Sequence, residues 1–154
     1  MISQEILNLM NANSVFALGT ANGQNVPFYT RSFYVQGNVG DTELKIHIPE
    51  IMAVRPLKDL KENPLMSVNI ADVTNFFARQ IKGKFKEMRL TTKDEMVLIN
   101  QFHSKIGDLL NQFFGSNLAD GWKRFIVEPS VCIIMEIQEV YEQTPKRGTG
   151  GKLS

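Results

Sequence analysis

Residues 14–36, SVFALGTANGQNVPFYTRSFYVQ, carry the clearest strand signals in this 154-residue chain. The short apolar run 14–21 ends at Asn22-Gly23, a dipeptide typical of tight turns. Residues 26–36 follow and are rich in aromatic and β-branched side chains. We therefore predict that 14–21 and 26–36 pair as an antiparallel hairpin.

The spacing of apolar residues predicts four more strands, at 42–48, 65–71, 76–89 and 131–142, and helices at 2–12, 56–62 and 92–114. The capping box Thr92-x-x-Glu95 makes the last of these the strongest helix signal. A short helix or loop carries Trp122 and Phe125. Strands joined mostly by tight connections favour a mainly β, antiparallel barrel with flanking helices over a doubly wound sheet. Residues 1–154 are expected to form a single domain, with 144–154 as a flexible tail.

Composition excludes several classes of protein. The formal net charge is +1, so no overall field attracts nucleic acid or an acidic membrane. The lysine face formed by Lys82, Lys84 and Lys86 is interpreted as a solvated strand surface. The N-terminus does not read as a signal peptide, and the apolar run 131–135 is too short to span a bilayer. With one cysteine and no disulfide framework, a cytoplasmic protein is expected, without a nucleic-acid or membrane partner.

Metal-ligating residues are few and widely separated in the sequence. His47, His103 and Cys132 show no ligand-like spacing, so no zinc site is predicted. Alternation within its apolar strand predicts that Cys132 is a buried, inert thiol. His47 is expected on the polar face of its strand beside Lys45, partly exposed.

The dipeptide Arg55-Pro56 suggests an anion site. Proline suits the first position of a helix, so 56–62 is predicted as a short helix that points its free amides at the space beside Arg55. A helix N-terminus with a guanidinium beside it favours phosphate. Arg31, within a predicted strand, is the second candidate cation. The alternatives remain that Arg55 only faces solvent and that Arg31 points outward.

Several segments together resemble one known family. The motifs LGTANGQNVPFYTR, LKIHIP, VRPLKDLKENPLMSVNI and RQIKG, in this order, are similar to those of the pyridoxamine 5'-phosphate oxidase-like flavin-binding split barrels. The ending VYEQTPKRGTGG resembles the tail of an uncharacterised branch of that superfamily. The resemblance implies a six-stranded split barrel, usually a homodimer, that binds flavin mononucleotide (FMN) at the subunit interface.

The resemblance also assigns roles to particular residues. Arg55 matches the residue that binds the flavin phosphate, and Gln80 matches a glutamine that hydrogen-bonds the flavin pyrimidine ring. Arg31 matches the cofactor-facing arginine of the second strand. The remaining implied contacts lie beside that arginine, at the end of the third strand, and before Arg55; they are Ser32, Phe33, His47, Ile48, Pro49 and Val54.

Departures from the family pattern narrow the expected function. The oxidases have a basic residue a few positions after the strand arginine, whereas residues 33–36 of this chain include no basic side chain. The oxidases also have a C-terminal arginine-and-histidine segment that this chain lacks. Pyridoxamine phosphate oxidation is therefore not expected. The prediction is an FMN-binding oxidoreductase acting on a small molecule, with no catalytic residue identified. One alternative is a non-enzymatic dimer of the same fold that binds haem, with His47 as a candidate axial ligand, or another ligand. The others are a member that binds a deazaflavin and a member without a cofactor.

Overall fold

The computed structural model describes residues 1–146 and 150–153. Its elements, in chain order, are α1 (Gln4–Asn11), β1 (Ser14–Ala21), β2 (Pro27–Ser32), β3 (Tyr34–Gln36), β4 (Glu43–Pro49), α2 (Glu50–Glu62), β5 (Leu65–Asp72), β6 (Ala78–Leu90), α3 (Lys93–Phe114), α4 (Ser116–Lys123) and β7 (Ser130–Glu142). Strands and helices thus fall close to the predicted positions.

The strands form one antiparallel sheet in the order β2-β1-β5-β6-β7-β4-β3. The two outermost strands, β2 and β3, are consecutive in the chain and are separated only by Phe33. The Phe33 backbone N–H donates to the His47 carbonyl oxygen at 3.1 Å. Because one segment supplies both ends of the strand order, the sheet curls into a half-barrel.

The mainly β, antiparallel prediction with flanking helices is confirmed, but the predicted count of six strands was wrong. The described residues form seven, because the segment 26–36 is two strands rather than one. β2 pairs with β1, whereas β3 pairs with β4, so the chain changes its pairing partner at Phe33. The Phe33 ring lies 5.3 Å from the Trp122 ring, and this packing against the helices holds the break in place.

Two hydrophobic clusters stabilise the fold. The first fills the inside of the curled sheet, where strand side chains from alternate positions meet α1 and α2. The second lies between the opposite face of the sheet and α3 and α4, and its buried members are Phe33, Met96, Ile99, Ile106, Leu110, Ala119, Trp122 and Val127. The sheet is therefore covered on both faces over part of its area.

The predicted start of the second helix was wrong. α2 begins at Glu50 with Pro49 as its N-cap, and Pro56 lies inside it. Proline there removes one backbone hydrogen bond. Pro56 is buried with Ala53 and Leu60 on the core-facing side of α2, and this packing offsets the missing bond. The predicted end of the helix, at 63–64, is confirmed.

The capping box of α3 is confirmed. The Glu95 backbone N–H donates to Thr92 Oγ1 at 3.3 Å, and the Thr92 backbone N–H donates to Glu95 Oε2 at 2.9 Å. Within the described residues, no helix combines the length and apolarity needed to cross a bilayer.

The flexible tail predicted for 144–154 lies partly outside the described residues. Of the part that is described, Gly150 donates its backbone N–H to the Glu142 carbonyl at 3.0 Å, and Leu153 donates to the Val140 carbonyl at 2.7 Å. These residues therefore lie along the last part of β7.

Candidate functional site

The structure divides the predicted site residues among three locations. The first is the strand break. Ser32, Phe33, His47 and Ile48 are fully buried there, and Ser32 Oγ donates to the His47 carbonyl oxygen at 2.9 Å. The fold encloses these four side chains, and their predicted contacts with a cofactor stay a prediction.

The expectation that His47 is partly exposed was wrong. Its side chain is turned toward α3 and has no solvent exposure. Burial lowers the pKa of His47 to about 4, so the imidazole is neutral at physiological pH. An imidazole enclosed in this way does not present an axial ligand to a haem on the surface.

Arg55 occupies the second location, in the middle of α2. Its Nε donates to Asp59 Oδ1 at 2.7 Å, and its guanidinium lies 5.4 Å from the centre of the Phe28 ring. Asp59 is buried and also accepts a hydrogen bond from Thr20 Oγ1 at 3.1 Å. Arg55 therefore neutralises a buried carboxylate. Its predicted role in phosphate binding stays a prediction, but the helix end that supported it is elsewhere.

The actual N-terminus of α2 is poorly suited to an anion. Pro49 and Val54, both predicted site residues, line a cavity of about 380 Å³ beside it. The ionisable residues in that lining are Glu50 and Glu128, and the other members are apolar. Two carboxylates at a helix N-terminus oppose the binding of a phosphate by charge repulsion.

Arg31 and Gln80 occupy the third location and lie on one face of the sheet. The register aligns Arg31 with Ala17, Ala17 with Asn69, and Asn69 with Gln80, across β2, β1, β5 and β6. Side chains directly opposite one another project from the same face. Neighbouring positions such as Leu18 and Ile70 are buried in the core on the opposite face. We call this polar face the outer face.

A groove opens on the outer face next to this row. We call it the strand groove; its volume is about 600 Å³. Gly19 and Ser67 are directly opposite each other there, and a Cβ on Gly19 would lie 2.7 Å from Ser67 Oγ. Small side chains thus keep the floor low. The side chains that line the groove and offer polar groups include Tyr29, Ser67, Asn69 and Lys82.

A second opening lies on the other side of the row. We call it the helix pocket; its volume is about 530 Å³, and it is lined by Val15, Arg31, Val73, Leu110, Leu118, Gly121, Trp122 and Phe125. The Arg31 guanidinium lies 5.2 Å from the centre of the Trp122 ring, in a cation–π contact. An apolar wall with one cation suits a ligand that has both a flat ring and an anionic group.

Sequence reasoning missed most of this surface. Lys82 was interpreted as part of a solvated stripe, and Tyr29, Ser67 and Asn69 were not singled out. The signal that could have found them is their alternation with core residues, which assigns them to the outer face. Their meeting in one groove depends on strand register, which the sequence does not reveal directly.

The fold has known counterparts among solved structures. HupZ from Group A Streptococcus aligns over 100% of both chains, with a TM-score of 0.60 and 12% identity. An FMN-binding protein from Syntrophomonas wolfei aligns over 91% of this chain and 84% of its own, with a TM-score of 0.55 and 14% identity. A Clostridium acetobutylicum protein related to general stress protein 26, of the pyridoxinephosphate oxidase family, aligns over 97% and 92%, with a TM-score of 0.53 and 11% identity.

This chain has the pyridoxamine 5'-phosphate oxidase-like fold. The resemblance seen in the sequence is thereby confirmed at the level of the fold. No protein-family model matches the sequence, and no curated protein matches it significantly. On the outer face, the two openings combine the cations Lys82 and Arg31 with apolar walls.

Proposed function

We propose that this protein binds FMN on the outer face, at the row that joins Arg31 to Gln80, and that it is an oxidoreductase acting on a small molecule. The observation that carries the proposal is the strand groove together with the helix pocket. The two openings flank one row of residues that contains a cation at one end and an amide at the other. The FMN-binding protein from Syntrophomonas wolfei supports the choice of cofactor.

The residues present fit the chemical groups of a flavin. Ala17 and Gly19 provide a low floor on which a flat ring can lie. Asn69 and Gln80 offer amides that can hydrogen-bond the polar edge of such a ring. Arg31 offers a guanidinium, the side chain best suited to holding phosphate through paired hydrogen bonds.

Lys82 offers a second cation on the same face. Its Nζ lies 4.4 Å from the centre of the Tyr141 ring, so the ammonium is held close to the groove that it lines. When bound, FMN supplies the hydride or electron transfer. The chain supplies the charge, the hydrogen-bonding edge and the apolar walls that set where the cofactor lies.

Homodimerisation is part of the proposal. The groove is open to solvent along the outer face, with Tyr29 exposed at its wall. A second copy placed over this face would give the cofactor a second wall and exclude water from it. We expect light scattering to give the mass of two chains. A protein that is monomeric by this measurement and still binds FMN would contradict the proposed dimer.

The position of the cofactor is tested by titrating FMN into the protein and following flavin fluorescence. We expect Arg31→Ala to weaken FMN binding by about 10- to 100-fold, the scale for losing a hydrogen bond to a charged group. Arg55→Gln is the matched variant, because its amide still donates toward the buried Asp59. This variant should bind FMN like the wild type.

The reverse result would contradict the outer-face placement. A loss of affinity in Arg55→Gln, with Arg31→Ala unaffected, would place the phosphate at α2. Circular dichroism of both variants separates loss of binding from loss of fold. A visible spectrum of the purified protein tests the cofactor itself. A haem-like band, selective retention of a deazaflavin, or a protein that retains no flavin would each contradict FMN.

A further inference from the structure

Three residues with metal-binding side chains meet between the sheet and α3. His47 on β4 and Cys132 on β7 are direct cross-strand partners, so their side chains share one face of the sheet. Glu95 joins them from the first turn of α3. The three ligand atoms all lie within 4.8 Å of one another, and all three residues are buried. No zinc site was predicted, because metal-ligating residues lie far apart in the sequence. Strand pairing and helix packing bring these three together.

His47 Nε2 is aimed into this cluster without a conventional partner. It is buried and has no hydrogen-bond partner among residues 1–146 and 150–153. Its distance to Glu95 Oε1 is 4.0 Å, too long for a hydrogen bond. A buried polar atom without a partner lowers the stability of the fold, so a bound group that accepts the Nε2 lone pair would be favourable here.

The other ring nitrogen sets the tautomer that a metal requires. His47 Nδ1 lies 3.2 Å from Thr91 Oγ1. When Nδ1–H donates to this hydroxyl, Nε2 carries a free lone pair directed at Glu95 and Cys132. Metal-binding histidines use this arrangement, in which the second ring nitrogen donates to an outer partner.

Glu95 is likewise held in place by outer partners. Arg89 donates to its two carboxylate oxygens at 2.8 and 2.6 Å, and the Thr92 backbone N–H donates to Oε2 at 2.9 Å. These bonds fix the carboxylate with Oε1 toward His47. Arg89 is partly exposed, so water continues to solvate its charge.

We propose that His47, Glu95 and Cys132 form a binding site for one divalent transition-metal ion of the zinc class. Imidazole, thiolate and carboxylate are all zinc ligands, and three protein ligands leave one tetrahedral position for water. On binding, the Cys132 S–H bond breaks, an S–metal bond forms and the proton passes to solvent. The thiolate and the carboxylate balance the charge of Zn²⁺, and the remaining positive charge, on Arg89, is partly exposed to water.

The geometry needs only local adjustment. Zinc bonds of about 2.0–2.3 Å in a tetrahedral site separate neighbouring ligand atoms by about 3.3–3.8 Å. The present separations of up to 4.8 Å therefore have to contract by about 1 Å. We expect Cys132 to supply most of this movement, because Arg89 and Thr92 hold Glu95, while β4 stays paired with β7.

The test uses Co²⁺ as a spectroscopic probe for zinc. Protein stripped with a chelator is titrated with Co²⁺, and we expect saturation at one ion per chain with a near-ultraviolet thiolate-to-cobalt charge-transfer band. Zn²⁺ should displace the Co²⁺ ion, and the band should disappear. Zn²⁺ should also raise the midpoint temperature of unfolding, because an ion that binds only the native state stabilises that state. Cys132→Ser should abolish the band, and His47→Gln should weaken Co²⁺ binding at least tenfold.

His103→Gln is the matched control, since it alters the other histidine and should keep the wild-type spectrum. Circular dichroism verifies the fold of each variant. The wild-type titration decides the outcome even where a core variant fails to fold. Absence of the charge-transfer band in wild-type protein, or Co²⁺ binding without it, would overturn the proposed site.

Discussion

At the scale of single residues, Gly83 shows how strand packing restricts side-chain size. A Cβ at this position would lie 2.1 Å from the Glu136 carbonyl oxygen and 2.8 Å from Met135 Cγ. The register between β6 and β7 shifts at this point, so the two backbones approach closely. The sequence motif RQIKG marked this glycine, but only the pairing with β7 explains it.

Gly83→Ala should lower the free energy of unfolding by about 1–3 kcal/mol, because the added methyl group forces the two strands apart. Urea denaturation measures this change. Gly121→Ala is the control: among the described residues, no atom outside its own turn of α4 lies within 4 Å of the added Cβ, and alanine is the better helix former. Equal unfolding midpoints for the two variants would contradict the steric explanation.

At the scale of elements, helix boundaries followed local chemistry where side-chain caps existed. The start of α3 was predicted correctly from Thr92 and Glu95, because a capping box satisfies backbone donors with residues three positions apart. The start of α2 was predicted wrongly, because its N-cap, Pro49, makes no side-chain capping bond that a sequence pattern could indicate. Proline at position 56 was therefore mistaken for the first helical residue.

Thr92→Ala should destabilise the protein by about 1 kcal/mol, the usual loss when an N-cap hydroxyl is removed. Thr92→Ser keeps the hydroxyl and should lose only a small part of this. Thermal or urea unfolding of the two variants provides the comparison. If serine cost as much stability as alanine, the capping bond would not be the source of the effect.

At the scale of the whole molecule, Arg79 joins α1, β6 and β7. It is buried, its Nε donates to Glu5 Oε1 at 2.7 Å, and it forms an ion pair with Glu142. Its guanidinium also lies 4.1 Å from the centre of the Phe77 ring. This network ties the N-terminal helix to the last strand and was not predicted from the sequence.

The Thr144 hydroxyl, followed by the Thr144 backbone N–H, the Lys146 hydrogen bond and the charge of Arg79, lowers the pKa of Glu142 to about 2 from its ordinary 4.5. A depressed native pKa means that the stabilisation is fully present above about pH 4.5 and is lost as the pH falls toward about 2. Glu142→Gln should therefore be less stable than the wild type at neutral pH, with the difference shrinking in acid.

Urea unfolding at neutral pH and at about pH 3 measures this difference. Glu136→Gln is a suitable control, because Glu136 is exposed on the same strand and lies outside the Arg79 network. A stability difference between wild type and Glu142→Gln that stayed constant over this pH range would contradict a depressed pKa for Glu142.

The sequence by itself determined where most strands and helices lie and that the sheet is antiparallel, since these depend on local periodicity, turns and caps; the break at Phe33 and the start of α2 were missed. It also predicted that Cys132 is buried, which the structure confirms. Arg31 was named from its place in a predicted strand as a candidate cation, whereas Gln80 entered only through the family resemblance; the role of both in cofactor binding stays a proposal.

The tertiary structure decided which of these residues face solvent and which meet one another. α3 and α4 pack against the sheet over Phe33 and His47, so the side chains of these two predicted contact residues are buried. Strand register placed His47 opposite Cys132, and the packing of α3 added Glu95. The physical reason is that register and helix packing join residues that are distant along the chain, where no local periodicity records their meeting.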